Sequence, residues 1–431
     1  MKKCFLTALI IFSLAFGACT VPSEDARMTT LTLATFERNR ELDNWVSYFN
    51  STHHDIQVEI VNYATESLDP YDAINRLKAE IVSGKGPDLV DFGYYYSPLD
   101  ASSGILADLY PFMESDPAFD KEDYFYNIIK SFAVGEGLYV MVPYFSIKTF
   151  TTVYPGLSGR DSIDVRSLME IYENRPEGTF LYPGEMKHEV LDRIAHGSMA
   201  NYVDWESGTC RFDSEGFKAL LAFANQFPDT LVWAEDYSVQ SVFMEGNAIL
   251  YPGNIMSVFD ITGTKLFLGE APTFIGHPMD SGNGNMAQKG FVAVSIGAAS
   301  KNKEEAWIFV RSFLDADFQD SIDELPVSRA ALERQLAEAM KPEYDENGEK
   351  IAKANAGFAG DAPLYIYEIS AEDAELLRVL IEKVEFNSAT DNHLREIIYE
   401  EADYYFKDGR GIDETAKIIQ NRARIYISES K

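Results

Sequence analysis

Hydrophobic and polar positions repeat along the first part of the chain in patterns that predict strands and helices in turn. Residues 31–36 (Leu-Thr-Leu-Ala-Thr-Phe), 56–61 (Ile-Gln-Val-Glu-Ile-Val) and 88–92 (Asp-Leu-Val-Asp-Phe) have the composition of strands. Between them, apolar residues recur at helical spacing in two groups: Leu42, Trp45, Val46 and Phe49, then Ile74, Leu77, Ile81 and Val82. This order predicts a mostly parallel sheet with helices on its faces.

The chain begins with a segment typical of exported proteins. Met1-Lys2-Lys3 is basic, and residues 5–18 are nearly all apolar and end in the small residues Gly17 and Ala18. The apolar run is too short to span a bilayer, so residues 1–18 are predicted to be a secretory signal.

The end of this segment, Phe16-Gly17-Ala18-Cys19, resembles the bacterial lipobox. The resemblance implies that signal peptidase II cuts before Cys19 and that this cysteine carries the lipid, palmitate included. Residues 19–27 would then form a short polar tether, and the lipid would hold the protein on the cell membrane, facing the extracellular side. Ordinary secretion, with Cys19 incidental, is the alternative.

Composition narrows the function classes. The chain has 431 residues, with 37 Lys and Arg against 69 Asp and Glu, which gives a formal net charge of −32. Such a charge repels phosphate backbones and argues against nucleic acid as a partner. At 46% hydrophobic residues the chain is too apolar to be disordered, and its length suggests two or three folded units. Its three cysteines predict no disulfide framework, and we expect Cys210 to be a packing residue.

Candidate ligand contacts follow the predicted strands. In open parallel sheets, ligands bind beyond the carboxyl ends of the strands. Phe36-Glu37 follows the first strand, and Gly93-Tyr94-Tyr95-Tyr96 follows the third. Tyrosine combines a flat apolar face with a hydroxyl, which suits a sugar ring. From these residues alone, sugar binding and ordinary surface packing remain equally open.

Several later segments carry a family resemblance. They are residues 84–91 (Gly-Lys-Gly-Pro-Asp-Leu-Val-Asp), 104–112 (Gly-Ile-Leu-Ala-Asp-Leu-Tyr-Pro-Phe), 137–143, 243–254, 299–310 and 325–332. Each segment is weak alone, but in this order they resemble the family 1 extracellular solute-binding proteins of sugar-type ABC importers.

The resemblance implies an α/β fold of the periplasmic-binding-protein type II, with two α/β lobes, a hinge and a ligand cleft between the lobes. It places residues 28–142 with 278–325 in lobe 1, and residues 143–277 with 326–431 in lobe 2. The chain has a proline at or near each expected crossing between lobes, where a break in regular structure is expected: Pro143, Pro278 and Pro326.

The resemblance also implies a function without catalysis. A carbohydrate, expected to be an oligosaccharide, would bridge both lobes, select the closed state and pass to the permease of an ABC importer. We expect a monomer with no cofactor and no metal. The candidate ligand-binding residues are Phe36, Glu37, Tyr94, Tyr95, Tyr144, Phe145, Trp205, Tyr251, Asn254 and Asn285.

Other classes of protein compete with this interpretation. An enzyme acting on surface polysaccharides would need a pair of carboxylates, which a chain with 69 acidic residues can supply. However, the chain contains no Gly-x-Ser-x-Gly elbow and no His-Glu-x-x-His pattern. A binding protein for a cationic or peptide ligand would suit the negative charge. A structural lipoprotein would need no cleft at all.

Overall fold

The computed structural model describes residues 28–64, 69–197, 199–231, 242, 245–269, 272–280, 283–359, 362–389, 391–407 and 409–430. The predicted signal, Cys19 and the tether of residues 19–27 lie outside these ranges. Within the described ranges, no helix combines the length and the apolar composition that crossing a bilayer requires.

The strands are numbered in chain order. They are β1 Thr29–Thr35, β2 Ile56–Asn62, β3 Leu89–Asp91, β4 Tyr144–Thr152, β5 Val203–Asp204, β6 Thr209–Cys210, β7 Tyr251–Ile255, β8 Thr273–Phe274, β9 Met286–Lys289, β10 Val294–Ile296, β11 Leu325–Pro326, β12 Ala354–Ala359, β13 Ala362–Ile366 and β14 Phe386–Asn387.

The α-helices alternate with the strands in the first part of the chain and dominate its end. They are Arg40–Thr52, Pro70–Val82, Pro98–Ser102, Tyr110–Ser115, Tyr126–Ser131, Val165–Glu173, Lys187–Gly197, Glu215–Ala224, Asp260–Leu268, Lys303–Ser312, Ala316–Gln319, Arg329–Ala339, Ala371–Glu382, Asn392–Phe406 and Ile412–Ser430. Short 3-10 turns cover Gly93–Tyr95, Lys121–Asp123 and Met199–Asn201.

The first sheet has the order β10-β3-β1-β2. Strand β1 runs parallel to both β2 and β3, which confirms the parallel pairing predicted from the alternation of residues. Strand β10 joins the sheet as the antiparallel partner of β3, although it lies far along the chain. The turn Gly93–Tyr95 therefore begins near the carboxyl end of β3, as expected for a ligand-facing segment.

The two helices predicted beside this sheet form. In Arg40–Thr52 the buried residues are the predicted Leu42, Trp45, Val46 and Phe49, and Asn39 caps the helix by accepting from two backbone N–H groups. In Pro70–Val82 the prediction is wrong at one residue, because Val82 is 81% exposed. Val82 lies about 80° around the helix axis from Ile74, so it faces away from the buried stripe.

The second sheet is built around β4. This strand pairs antiparallel with β11, β7, β8 and β9, and β14 joins through a parallel pairing with β9. Because the partners of β4 come from widely separated parts of the chain, the local alternation of apolar and polar residues could not predict this sheet.

Two segments, residues 142–143 and 290–293, connect the two sheets side by side. Met141 and Val294 bond to each other at the first sheet, with N···O distances of 2.9 and 3.1 Å in the two directions. Strand β4 begins at Tyr144 and β9 ends at Lys289, so both segments enter the second sheet together. The chain thus passes between the sheets next to Pro143, and again at residues 290–293, after Pro278, because β9 pairs with β4 before the chain returns. The lobe crossings expected at these prolines stay a prediction.

The C-terminal part of the chain divides between two hydrophobic cores. Helices Asn392–Phe406 and Ile412–Ser430 pack with residues of the 150–250 region, as expected for lobe 2. Helices Arg329–Ala339 and Ala371–Glu382 instead share a core with the first sheet. Asn127 Nδ2 holds the end of the helix Ala371–Glu382 in place, because it donates hydrogen bonds to the carbonyl oxygens of Ile381 and Val384. The lobe boundaries stay a prediction, and in this segment the packing differs from them.

Candidate functional site

A cavity of about 340 Å³, called the cleft below, lies between the turn after β3 and one face of the second sheet. Its walls come from distant parts of the chain: Tyr94 and Tyr96; Tyr144, Phe145, Ser146 and Lys148; Asn254 and Met256; Gln288, Lys289, Gly290 and Phe291; Glu324; and Ser388, Ala389, Asn392 and Arg395. Both sheets therefore contribute to one concave surface.

Polar side chains from three neighbouring strands form the floor of the cleft. Alternation along β4 places Tyr144, Ser146 and Lys148 on one face. The register sets Ser146 opposite Gln288 and Lys148 opposite Asn254. Ser146 Oγ and Asn254 Nδ2 both donate long hydrogen bonds to Gln288 Oε1, at 3.4 and 3.5 Å. These weak mutual bonds leave hydroxyl and amide groups able to bond to a ligand.

Apolar side chains lie exposed on the walls of the cleft. Phe291 is 68% exposed, Tyr94 is 58% exposed and Met256 is 52% exposed. The Tyr94 ring meets the Tyr95 ring edge to face, with centroids 5.5 Å apart. Large apolar groups that stay exposed around a polar floor are typical of a binding site rather than of a core.

Tyr144 fixes one end of the cleft. Its hydroxyl donates to Glu41 Oε2 at 2.7 Å and accepts from the backbone N–H of Phe291 at 3.1 Å. Burial raises the pKa of Glu41. Gly290 allows this arrangement, since a Cβ added there would lie 1.9 Å from the Tyr144 ring. The chain can therefore pass Tyr144 closely only with glycine at this position.

A hydrogen bond from a buried lysine joins the second sheet to the turn after β3. Lys289 Nζ donates to the carbonyl oxygen of Gly93. Asp91 is buried and accepts from the backbone N–H groups of Gly93 and Ala293, at 3.2 and 2.9 Å. Burial raises the pKa of Asp91 to about 6 and lowers the pKa of Lys289 to about 8. Lys289 is thus already engaged by groups of the protein.

The opposite end of the floor is positively charged. Arg395 Nε and Nη2 donate to the two carboxylate oxygens of Asp192, at 2.6 and 2.8 Å. Burial lowers the pKa of Lys148; the charge of Asp192 opposes this shift, and the charge of Arg395 adds to it. Within the described residues, no hydrogen bond or ion pair engages the ammonium group of Lys148. Glu324, beyond Tyr144, supplies a negative charge to the lining.

Two further cavities adjoin the cleft. One, of about 350 Å³, shares Tyr96 and Ala389 with it and contains Trp205. The other, of about 400 Å³, shares Asn392 with it and contains Tyr95. The three cavities share lining residues, so they lie next to one another.

Seven of the ten candidate residues lie at or beside this system of cavities. Four line the cleft itself: Tyr94, Tyr144, Phe145 and Asn254. Trp205 and Tyr95 line the adjoining cavities. Glu37 stands behind the turn, where its Oε1 accepts from the backbone N–H of Tyr94 at 3.2 Å.

The other three candidates line none of these cavities. Phe36 is buried and stacks on Phe92, with ring centroids 5.9 Å apart. Tyr251 packs against Phe267, with centroids 5.5 Å apart. Asn285 is fully buried in a turn, where its Nδ2 donates to Asn283 Oδ1 at 2.6 Å.

Several lining residues were missed by sequence reasoning, namely Ser146, Lys148, Gln288, Lys289, Phe291 and Arg395. A signal exists for two of them. In Tyr-Phe-Ser-Ile-Lys, residues 144–148, polar residues alternate with apolar ones, which is typical of a strand with one face turned to a polar space. The others depend on long-range pairing. Among the residues that the structure describes, no group of three or more His, Cys, Asp or Glu is placed to hold a metal ion.

Comparison with known proteins adds a family and a fold. The profile described as bacterial extracellular solute-binding protein matches residues 34–320. No curated protein matches the sequence.

Solved structures resemble the whole fold at low identity. A periplasmic oligogalacturonide binding protein from Yersinia enterocolitica is 14% identical, with a TM-score of 0.57 over 93% of this chain and 100% of the other. The sugar-binding protein MalE from Xanthomonas citri is 15% identical, with a TM-score of 0.55 over 93% and 98%. An ABC substrate-binding protein from Listeria monocytogenes in complex with cycloalternan is 13% identical, with a TM-score of 0.52 over 93% and 99%.

Proposed function

The chain belongs to the bacterial extracellular solute-binding proteins, and from that premise we propose that it captures a carbohydrate, specifically an oligosaccharide, in the cleft. The captured sugar is then delivered to the permease of an ABC importer. The names of the Listeria and Yersinia proteins, with cycloalternan and oligogalacturonide as ligands, support this ligand class.

One observation carries the proposal: exposed rings stand over a polar floor. Tyr94 and Phe291 offer flat apolar surfaces to the faces of sugar rings, while Ser146, Asn254 and Gln288 offer hydrogen-bonding groups to hydroxyls. A sugar has both kinds of surface, and a site with both kinds of wall binds it without any reacting group.

Binding is coupled to closure in this proposal. The paired segments 142–143 and 290–293 connect the two sheets, so they are the natural place for a hinge. A ligand that contacts Tyr94 on one side and Asn254 on the other interacts fully only when the cleft is closed. It therefore shifts the population toward the closed state.

A direct binding experiment tests the ligand class. The purified full-length protein is heated with single oligosaccharides, and each melting temperature is compared with that of the free protein. At about one hundred times Kd, a specific ligand adds about 2.7 kcal/mol of stability. The variant Tyr94→Ala should lose the shift and the matched surface variant Tyr404→Ala should keep it. A polyamine or a peptide that shifts the melting temperature while no sugar does would contradict the proposal.

The same incubation distinguishes a binding protein from an enzyme. We propose that the oligosaccharide is recovered unchanged, because capture and release need no bond to break. Chromatography of the sugar after prolonged incubation gives the answer. The appearance of shorter products would show a polysaccharide-active enzyme instead.

We also propose that Cys19 is lipidated and holds the protein on the outer face of the cell membrane as a monomer. Cells expressing the full chain are labelled with an alkyne fatty acid and then fractionated. The wild-type protein should carry the label and sediment with membranes, and Cys19→Ala should do neither. Equal labelling of the two proteins would contradict the anchor.

A further inference from the structure

Three of the four charged side chains that line the cleft are basic, inside a strongly acidic protein. Its charged lining consists of Lys148, Lys289, Arg395 and one acid, Glu324, whereas the whole chain has a net charge of −32. If the lining had the average charge of the whole chain, it would be negative. The basic lining is therefore a local property of the cleft.

These three cations differ in what already balances them. Lys289 donates to the Gly93 carbonyl oxygen and lies near Asp91. Arg395 uses Nε and Nη2 for Asp192. Lys148 makes no ion pair with any described residue, and Arg395 Nη1 donates to no described acceptor. The unbalanced donors thus occur together, at the Asn254 end of the floor.

A cation removed from water without a partner in direct contact is costly. For Lys148, the charge of Asp192 lessens this cost and the charge of Arg395 adds to it. In an empty cleft, water reduces this cost. A ligand that closes the cleft removes that water, so a neutral ligand would leave Lys148 unpaired. An anionic group on the ligand would pair with it and would offset this cost.

We infer that the ligand is an acidic sugar, whose negatively charged group lies between Lys148 Nζ and Arg395 Nη1. This inference rests on the proposed function and names the substrate class of the same site. A uronic acid carboxylate and a sugar sulfate share this chemistry. The Glu324 end of the cleft then accepts hydrogen bonds from neutral hydroxyls, and the rings of Tyr94 and Phe291 contact the sugar faces.

The test compares ligands that differ only in charge. Titration calorimetry on the purified full-length protein measures Kd for an oligogalacturonide, for its methyl ester and for a sulfated oligosaccharide. The free acid should bind about tenfold or more tightly than the ester, because the ester carries no negative charge to pair with Lys148 and Arg395. Tight binding of the sulfated sugar alone would support the anionic class with sulfate as the source.

Variants locate the charge recognition. Lys148→Met should weaken binding of the acid about tenfold and should not weaken binding of the ester, because it removes the cation that a neutral ligand would leave without a partner. Lys85→Met, an exposed lysine outside the cleft, should change neither. If Lys148→Met folds poorly, the salt dependence of Kd for the wild-type protein tests the same charge recognition independently. Raising NaCl from about 0.05 M to about 0.5 M should weaken binding of the acid more than binding of the ester.

The outcomes separate this inference from the proposed function. Equal affinities for acid and ester, or tighter binding of neutral oligosaccharides, would overturn the acidic-sugar inference while leaving carbohydrate capture intact. Failure of every sugar to bind would overturn both.

Discussion

The hydroxyl of Tyr144, the first residue of β4, donates a hydrogen bond to the carboxylate of Glu41 across 2.7 Å. Tyr144 belongs to the second sheet, whereas Glu41 lies in the first turn of the helix Arg40–Thr52, which packs beside β2 of the first sheet. The bond therefore links the two sheets beside the cleft.

Tyr144→Phe should lower the free energy of unfolding by about 1–3 kcal/mol. It leaves the half-buried Glu41 carboxylate without its donor and the Phe291 N–H without its acceptor. Urea denaturation measures the change. Tyr365→Phe, on the exposed hairpin of β12 and β13, should cost nothing measurable. Equal stability of Tyr144→Phe and wild type would show that the link is not stabilising.

Phe291→Ala should weaken ligand binding about tenfold without destabilising the protein. The Phe291 side chain is 68% exposed in the cleft, so its apolar contacts form only with a ligand. Phe358→Ala removes a ring that is 59% exposed on β12, outside the cleft, and should leave Kd unchanged. Calorimetry measures Kd and thermal unfolding measures the melting temperature of each variant. If Phe291→Ala lowers the melting temperature as well as weakening binding, its effect on binding would not show a direct ligand contact.

Gly290→Ala should destabilise the protein by about 1–3 kcal/mol. Its Cβ would lie 1.9 Å from the Tyr144 ring, so that ring or the crossing at residues 290–293 must shift. Gly216→Ala is the control, because a Cβ there meets nothing within 4 Å. Gly216 lies inside the helix Glu215–Ala224, where alanine should add up to about 1 kcal/mol. Denaturation curves in which the two variants shift in the same direction would contradict the close contact.

Asp91 should make stability fall as pH rises between about 4 and 6. Burial raises the pKa of Asp91 from 3.8 to about 6, so in this window the folded protein holds a proton that the unfolded chain has released. The stabilisation is complete below the unfolded pKa and is lost as pH passes the folded pKa. It amounts to at most about 3 kcal/mol.

The variant Asp91→Asn removes this proton and should flatten the pH dependence in the same window. The free energy of unfolding of wild type and variant is measured at several pH values. Asp55→Asn, at an exposed position, should keep the wild-type slope. An Asp91→Asn slope equal to that of wild type would show that Asp91 does not hold a proton in this range.

Local pattern was enough for three of the four strands of the first sheet and for part of the cleft. Alternation located β1, β2 and β3, and the rule that ligands bind at the carboxyl ends of parallel strands identified Tyr94. The same rule led to Phe36, which instead stacks on Phe92, because a strand end also needs residues that close the core. Val82 was misplaced because hydrophobicity was taken as burial at the end of a helix.

Long-range pairing decided the remainder. Lys148 faces the cleft only because β4 pairs with β7 and β9 in the observed register, and a shift by one residue would turn it to the other face. The basic character of the cleft depends on this register and on Arg395, which comes from a helix near the end of the chain. A net charge summed over the sequence has the opposite sign and gives no indication of it.

The scattered origin of the cleft also has a consequence for how the protein matures. The partner strands of β4 are synthesised long after it, up to β11, and the cleft residues Ala389 and Asn392 are synthesised later than β11. Contacts between such distant residues form slowly, because long loops must close first. The alternating strands and helices of residues 29–91 can therefore order themselves early, while capture of a ligand requires nearly the whole polypeptide. Ligand binding would then report that synthesis and folding are complete.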